Sequence, residues 1–261
     1  MPPLLLVGSI FAFIISAGSF VFRFLTFSGA IAAFLLGVVV FGIGGWQWAI
    51  PLLMFFLLSS LLSKDRRSRK EQFDSLFEKS HTRDWGQVAS NGSLAGMLVL
   101  LSASFPIYDF YPIYLGALAA VTADTWGTEI GVLTKGRTLS ILSMQSVSPG
   151  TSGGISESGT MAGAVGAIVI ALSGYAWYSD LKTGIIVIVA GMVGSFADSV
   201  IGATLQGQFR CVICGKPTER AMHCDSSTTR VAGVSCINND AVNLVCSLVG
   251  AVTAWVLMLV L

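Results

Sequence analysis

The chain has 261 residues and a net charge of +1, and 54% of its residues are hydrophobic while only 11% are charged. A soluble domain normally carries about 25% charged residues, so this composition excludes a water-soluble globular protein. The near-neutral charge also excludes a nucleic-acid partner held by bulk charge. The sequence therefore predicts an all-α fold, a polytopic membrane helical bundle that forms one integral membrane domain over residues 1–261.

Apolar runs of about 20 residues, the length at which a helix crosses a bilayer, recur along the chain. They predict about eight membrane-spanning helices. The predicted spans are Leu4–Phe22, Phe27–Gly44, Trp46–Leu62, Gly92–Phe105, Tyr111–Leu133, Gly159–Tyr178, Gly184–Leu205 and Asp240–Leu261. The fourth is short and could begin nearer Val88. The N-terminus lacks the basic region and cleavage site of a signal peptide, so we expect the first span to be retained.

The basic residues indicate how the bundle is oriented. Of the 15 Lys and Arg residues, all except Lys182 lie in connections that this set of spans places on one side. Positively charged loops stay in the cytoplasm. The three long loops are therefore predicted to be cytoplasmic: a basic loop (64–90), a glycine-rich loop (134–157) and a cysteine-rich loop (207–238). The chain would then be a multi-pass protein of the cell membrane with both termini extracytoplasmic.

A faint internal repeat is visible in the sequence. Ser28–Ala32 opens the second span, and the similar segment Ser158–Ala162 opens the sixth. Each is followed by two spans, a polar loop and a further span led by asparagine. Such a match arises either by chance or by duplication, and duplicated halves of membrane proteins commonly build a site at their interface.

The basic loop has two interpretations. Its charges can simply hold the loop beside anionic lipid. Alternatively, Arg83, or Lys64 at the end of the third span, would also contact phosphate groups, and Arg83-Asp84 beside Asn91-Gly92 makes Arg83 the better candidate. Arg83 is therefore a candidate phosphate ligand.

Acidic residues interrupt the fifth and seventh spans. Asp124 and Glu129 lie about 140° apart around one helix, so they can flank a cavity without stacking. A charge at the bilayer centre costs at least about 2.5 kcal/mol, so these residues and Asp198 need a reason to be there. Oxygen ligands from several helices predict a Mg²⁺ site, although proton relay or cation transport would use the same residue types. The candidate catalytic set is Asp124, Glu129, Asp198, Asn91, Asn239, Asp240 and Asn243.

Solvation at the membrane interface would explain these acids without any site. For the start of the last span, Asn239 or Asp240 can also act as a helix N-cap.

The glycine-rich loop is a candidate phosphate-binding element. Glycines can turn backbone N–H groups inward to form an anion nest, and the following helix N-terminus adds positive potential. A flexible turn is the other interpretation. The candidate phosphate-binding residues are Gly150, Thr151, Ser152, Gly153 and Gly154.

The cysteine-rich loop contains a Cys-x-x-Cys-Gly turn, which is typical of half a zinc site. The cytosol is reducing, so a structural disulfide is disfavoured. Four residues could hold structural Zn²⁺, with Cys236 as an alternative fourth ligand; unligated or redox cysteines are the other possibility. The four residues are Cys211, Cys214, His223 and Cys224, and Cys246 is predicted to lie in the core.

Five segments, in order over most of the chain, resemble the motifs of the transmembrane protein 19 family. They are Arg83–Val88 with Asn91-Gly92, Thr122–Gly131, Pro149–Ser156, Gly194–Gly202 and Asn238–Asn243. The Cys211–Cys224 element resembles the corresponding segment of prokaryotic members of this family. The family includes the plant phytyl-phosphate kinase, so the resemblance implies a Mg²⁺-dependent phosphotransferase. Its substrates would be a nucleoside triphosphate, CTP or ATP, and an isoprenoid-alcohol monophosphate, a prenyl phosphate held in the lipid bilayer.

The chain has no Gly-x-x-x-x-Gly-Lys-Ser/Thr phosphate loop and no protein-kinase motif set, so its nucleotide site would be of another kind. Two further classes stay open. One is a transporter or flippase for an ion or a lipid phosphate, which would use the repeat and the intramembrane acids equally well. The other is a non-catalytic membrane scaffold with a zinc-stabilised loop.

Overall fold

The computed structural model describes residues 2–65, 82–133 and 136–261. Within these ranges the chain forms eight long helices, which confirms the predicted helical bundle. They are α1 (Pro2–Val21), α2 (Phe27–Val39), α3 (Trp46–Asp65), α4 (Trp85–Ser104), α5 (Tyr111–Gly131), α6 (Glu157–Tyr178), α7 (Leu181–Thr204) and α8 (Asn239–Val260). A π-helical turn, Val40–Gly44, extends α2. Most of the basic loop lies outside the described residues.

Six of the described helices are long and apolar enough to cross a membrane: α1, α2 with its π-helical turn, α3, α6, α7 and α8. The other two, α4 and α5, are less apolar. The reason is clearest for α5, which packs against α3, α4, α6, α7 and α8. A helix enclosed by other helices needs small residues for close packing rather than large lipid-facing side chains. The membrane bundle is thus established, while the count of eight spans stays a prediction.

Helix α4 begins at Trp85 rather than at Gly92, where the apolar run starts. Asp84 and Gln87 form a capping box. The Asp84 Oδ1 atom accepts a hydrogen bond from the Gln87 amide at 2.9 Å, and the Gln87 Oε1 atom accepts one from the Asp84 amide at 3.2 Å. This reciprocal cap starts the helix within polar sequence, which hydropathy alone does not detect.

Two of the short connections between helices are tight turns. Gly45, with a left-handed φ of 73°, separates the π-helical turn from α3. Ser179 is also left-handed and ends α6, and the Asp180 carboxylate then accepts a hydrogen bond from the Thr183 amide at 2.7 Å to begin α7. Each turn reverses the chain within one or two residues, so neighbouring helices pack antiparallel.

Two small antiparallel sheets occupy the long loops, an addition to the predicted all-α fold. In the glycine-rich loop, β1 (Thr138–Ser140) lies between β2 (Ser146–Val147) and β3 (Gly154–Ser156). In the cysteine-rich loop the strand order is β5-β4-β7-β6. These strands are β4 (Gln208–Cys211), β5 (Pro217–Thr218), β6 (Met222–His223) and β7 (Ser226–Ala232). Most have two to four residues, too few for an alternating pattern to stand out in sequence.

The glycine-rich and cysteine-rich loops, where they are described, and the helix ends that flank the long loops meet at one end of the bundle. Leu25, between α1 and α2, forms a parallel bridge with Arg83 at the start of α4. The Ser63 hydroxyl of α3 donates a hydrogen bond to Glu129 near the end of α5, at 2.8 Å. We call this the loop end of the bundle. It carries the polar residues that the sequence singles out.

Candidate functional site

Two aspartates from different helices form an acid pair at the loop end. The carboxyl groups of Asp124 in α5 and Asp198 in α7 lie within hydrogen-bonding reach of each other. The Asp198 Oδ2 atom is buried and has no hydrogen-bond partner among the described residues. Two negative charges at this range repel each other, so a proton or a cation has to lie between them.

Small residues bring the two helices close enough to form this pair. A Cβ atom placed on Gly191 of α7 would lie only 2.9 Å from the Ala119 side chain of α5. A Cβ atom on Gly194 would overlap the side chain of Ala120. Glycine and alanine at these positions let the backbones approach, as is common between membrane helices. The packing therefore fixes the separation of the two carboxyl groups.

The acid pair lines a cavity of about 110 Å³ between α5, α6, α7 and the glycine-rich loop. Glu219, Asn239 and Gln206 also line it, and none of the described lining residues is lysine or arginine. Carboxylates would repel a phosphate group here unless a divalent cation bridged the two, which is the way Mg²⁺ is often bound. The donor set fits a metal–phosphate site.

The glycine-rich loop is an ordered turn pressed against α7. Gly150 and Gly153 have left-handed φ angles of 82° and 76°. A Cβ atom on Gly153 would overlap the side chain of Ala203 in α7, so only glycine allows this approach. The predicted phosphate-binding residues of this loop, 150–154, all line the cavity, whereas Arg83 does not. The amides of Thr151 and Gly154 already donate to the carbonyls of Ser148 and Thr151 within the turn, so a phosphate group would have to use the other amides of this segment.

Glu219 of the cysteine-rich loop adds a third carboxylate beside the acid pair. The Ser152 hydroxyl of the glycine-rich loop donates a hydrogen bond to Glu219 at 2.9 Å, and the charge of Glu219 acts on Asp198. The sequence did not predict this residue because it stands in a polar loop without a motif. Only the folded loop brings it to the two helices.

Glu129 lies away from this cavity. Its carboxylate accepts the hydrogen bond from Ser63, and its charge acts on Arg83. Residues five apart on a helix point about 140° from each other, and α5 is surrounded by helices, so Asp124 and Glu129 meet different neighbours. The structure thus divides the predicted carboxylate set, and Glu219 takes the place beside the acid pair that was expected for Glu129.

The remaining predicted residues do not all lie at the cavity of the acid pair. Asn239 lines the acidic cavity, whereas Asp240 and Asn243 are not among its described lining residues. The N-cap of α8 is Asn238, whose Oδ1 atom accepts a hydrogen bond from the Ala241 amide at 3.1 Å, and this corrects the expected cap at Asn239 or Asp240. Arg83 and Asn91 line a second cavity instead.

The four predicted zinc ligands come together in the cysteine-rich loop. The ligand atoms of Cys211, Cys214, His223 and Cys224 all lie within 4.8 Å of one another. The His223 Nδ1 atom is 3.2 Å from the sulfur of Cys224 and 3.5 Å from that of Cys214. Tetrahedral zinc with bonds of about 2.0–2.3 Å requires ligand atoms at such separations. The left-handed Cys224, with a φ of 53°, turns the chain so that adjacent histidine and cysteine side chains face the same point.

The surroundings of Cys211 favour its thiolate form. The backbone N–H of Cys214 points at its sulfur, at 3.5 Å, and lowers the pKa of the Cys211 thiol to about 6. Zinc binds the deprotonated thiol, so this favours the ligand form. Cys236 is exposed and is not part of the described cluster. Cys246 is fully buried in α8, as predicted.

Comparison with known proteins assigns the chain to a family. The model of the integral membrane protein family DUF92 matches residues 10–251, which is nearly the whole chain. The chain belongs to the DUF92 family. This confirms a multi-pass integral membrane protein and the resemblance to membrane proteins related to the plant kinase family.

Relatives of this DUF92 chain occur in plants, archaea and cyanobacteria. Protein PGR of Arabidopsis thaliana is 28% identical, over 90% of this chain and 91% of its own length. An uncharacterized membrane protein of Methanocaldococcus jannaschii is 28% identical over 88% of this chain and 84% of its own length. An uncharacterized membrane protein of Synechocystis is 29% identical over 68% of this chain and 70% of its own length. No solved structure matches the chain.

Proposed function

We propose that this DUF92 protein transfers a phosphoryl group from a nucleoside triphosphate, CTP or ATP, to an isoprenoid-alcohol monophosphate. The observation that carries the proposal is the acid pair, Asp124 and Asp198, lining one cavity with the glycine-rich loop. The family resemblance to a prenyl-phosphate kinase supports the choice of substrates. In the reaction, an oxygen of the lipid phosphate attacks the γ-phosphorus, the γ-phosphorus–bridging oxygen bond breaks, and a nucleoside diphosphate leaves.

The chain's own residues have distinct tasks in this proposal. Asp124 and Asp198 would hold Mg²⁺, with Glu219 close by, and such an ion would supply neutralisation of the charge on the transferring phosphate. The backbone amides of Gly150, Ser152 and Gly153 would bind and orient phosphate oxygens. Positioning and charge neutralisation are most of what phosphoryl transfer requires. The cavity lies at the loop end, which we place in the cytoplasm, where nucleotides are available.

The test is phosphorylation of geranylgeranyl phosphate by the purified chain with Mg²⁺ and either CTP or ATP. We expect Asp198→Asn to lower the rate by at least about 100-fold, as loss of a central electrostatic group does. Asp180→Asn is the matched control, because it removes a carboxylate at the opposite end of the bundle and asparagine also caps helices well. A wild-type protein that forms no diphosphate with either nucleotide would contradict the proposal, and so would full activity in Asp198→Asn.

A second candidate function is transport coupled to a cation. The acid pair belongs to two membrane helices, and the partnerless Asp198 Oδ2 atom could hold a proton as well as a metal ion. In proteoliposomes, a transporter would move an ion or a lipid phosphate without consuming nucleotide. Flux without nucleotide, together with no diphosphate product, would favour this function over the kinase.

We further propose that the cysteine-rich loop holds one structural Zn²⁺ through Cys211, Cys214, His223 and Cys224. The mutual approach of their four ligand atoms supports it. Zinc binding contributes directly to the folding of such elements. Because the same loop carries Glu219, the zinc site would also hold that carboxylate beside the acid pair.

A further inference from the structure

A second cavity of about 70 Å³ lies between α1, α2, α3 and α4. It shares none of its described lining residues with the acidic cavity. Most of its lining is aliphatic or aromatic, as at Leu36, Phe41 and Leu52. A few polar groups, including Arg83 and Asn91, stand at the start of α4. The cavity is therefore amphipathic, with its polar part at the loop end.

The apolar part is long enough for a lipid chain. Its lining extends along α2 and the π-helical turn from Leu25 to Phe41, a length on the order of 20 Å at the rise of a helix. Half of a bilayer's hydrocarbon core is about 15 Å thick. A tail that enters from the loop-side leaflet would therefore meet apolar side chains over this length.

The backbone holds Arg83 firmly at the mouth of this cavity. Its amide donates to the Phe24 carbonyl at 3.0 Å, and its carbonyl accepts from the Thr26 amide at 3.0 Å. Its guanidinium lies 5.2 Å from the ring centre of Phe55 and 5.9 Å from that of Phe56, at cation–π range. The aromatic rings and the two backbone bonds fix the direction of the cation.

Arg83 is the charged residue among the described lining residues of this cavity. Burial lowers its pKa to about 10, and the charge of Glu129 opposes that effect, so the guanidinium stays protonated at neutral pH. Nearby, the Asn91 Oδ1 atom is buried without a hydrogen-bond partner in the described structure. The mouth of the cavity thus offers a cation and an unused acceptor. A singly protonated phosphate monoester complements both, whereas a carboxylate lacks the donor for Asn91.

We propose that this second cavity binds a single-tailed lipid phosphate monoester, with its head at Arg83 and Asn91 and its tail between α1, α2, α3 and α4. This site is separate from the acidic cavity. It requires neither nucleotide nor Mg²⁺, so it stands whether or not the chain is a kinase.

The test uses the full chain in phosphatidylcholine nanodiscs and a photoreactive hexadecyl phosphate, without nucleotide or Mg²⁺. Cross-linked residues are located by mass spectrometry, and affinity is measured by competition with hexadecyl phosphate, hexadecanoate or hexadecanol. We expect cross-links on α1–α4, and hexadecyl phosphate to compete best. Arg83→Gln should weaken phosphate binding by about tenfold or more, the usual effect of losing a hydrogen bond to a charged group. Arg23→Gln is the control, since Arg23 is an exposed arginine at the same end.

Two further variants keep the test decisive. Ala33→Phe fills the apolar part without changing charge, and it should weaken hexadecyl phosphate and hexadecanol alike, even if Arg83→Gln fails to fold. Asp198→Asn should bind as the wild type does. Wild-type affinity in both Arg83→Gln and Ala33→Phe overturns the site, as do cross-links confined to α5–α8 or loss of binding in Asp198→Asn. Equal competition by hexadecanoate overturns the assignment of a phosphate head.

Discussion

Two carboxyl groups that neighbouring helices hold close together repel each other when both are ionised, so a shared proton or a bound cation stabilises the pair. Asp124 and Asp198 are such a pair, and Glu219 adds a third negative charge from the cysteine-rich loop. The affinity of a site of this kind for a divalent cation depends on how many charged ligands it offers. The acid pair is therefore expected to be indispensable, and Glu219 to adjust the strength of cation binding.

Glu219→Gln is expected to raise the Mg²⁺ concentration needed for half-maximal nucleotide binding about tenfold. This corresponds to a loss of about 1.4 kcal/mol in the free energy of cation binding. The substitution removes the charge but keeps an oxygen that can accept the Ser152 hydrogen bond. The measurement is a Mg²⁺ titration of nucleotide binding to the purified chain. Ser152→Ala is the complementary control, because it breaks the hydrogen bond and leaves the charge, so its Mg²⁺ dependence should change less. Identical titrations for Glu219→Gln and the wild type would show that Glu219 does not contribute to cation binding.

Among the helices, the contact between α5 and α7 decides whether the acid pair can form. Gly194→Val is expected to push α7 away from Ala120, because even a Cβ atom overlaps that side chain. Overpacking of this kind typically costs about 1–3 kcal/mol, so both the melting temperature and the phosphotransferase rate should fall. Gly18→Val is the control, since a Cβ atom there meets no other atom within 4 Å. Equal activity in the two variants would show that the helix separation does not matter.

The cysteine-rich loop can be tested through its metal. Cys214→Ser should reduce bound zinc from about one ion per chain to almost none and lower the melting temperature, because metal binding stabilises such a loop directly. Elemental analysis and thermal unfolding measure both effects. Cys236→Ser removes an exposed cysteine outside the cluster and should change neither. A wild-type protein purified without chelators that contains no zinc would refute the site.

The sequence predicts helices well wherever lipid is their neighbour. A helix facing lipid must be apolar over about 20 residues, so α1, α7 and α8 are evident from composition. The start of α4 is harder to predict, since the Asp84–Gln87 capping box lies in polar sequence before the apolar run. The short strands of the two loops depend on pairing between distant residues, which a local pattern does not contain.

The same limit applies to the site. Asp124 and Asp198 were predicted together because a charge within an apolar run is conspicuous. The partners of each charge could not be predicted, because they depend on which helix packs on which face of α5. Glu129 faces Ser63 of α3, and Glu219 arrives from a loop whose fold the sequence does not specify. The cluster of three cysteines and one histidine was easier to predict, since the Cys-x-x-Cys-Gly turn is a local motif.

At the scale of the whole molecule, both cavities have their polar residues at the loop end. Arg83 marks one mouth, and the acid pair with the glycine-rich loop marks the other. The two tight turns, at Gly45 and Ser179, lie at the opposite end. Whichever aqueous compartment faces the loop end would therefore supply any ion or soluble ligand of either cavity.

The division of basic residues predicts that this compartment is the cytoplasm, and labelling of cysteines from outside intact cells can test it. The exposed native Cys236 lies in the loop end, whereas Ser179 is exposed in the turn between α6 and α7. A membrane-impermeant maleimide should therefore leave the wild-type chain unlabelled in intact cells but react with Ser179→Cys. Permeabilised cells are the control, since the native loop cysteines should then react as well, unless zinc protects them. If the wild type is labelled from outside, the orientation is inverted. Cytosolic nucleotide could not then reach the acidic cavity, so the kinase proposal would fail with the topology, while lipid binding at Arg83 would remain possible.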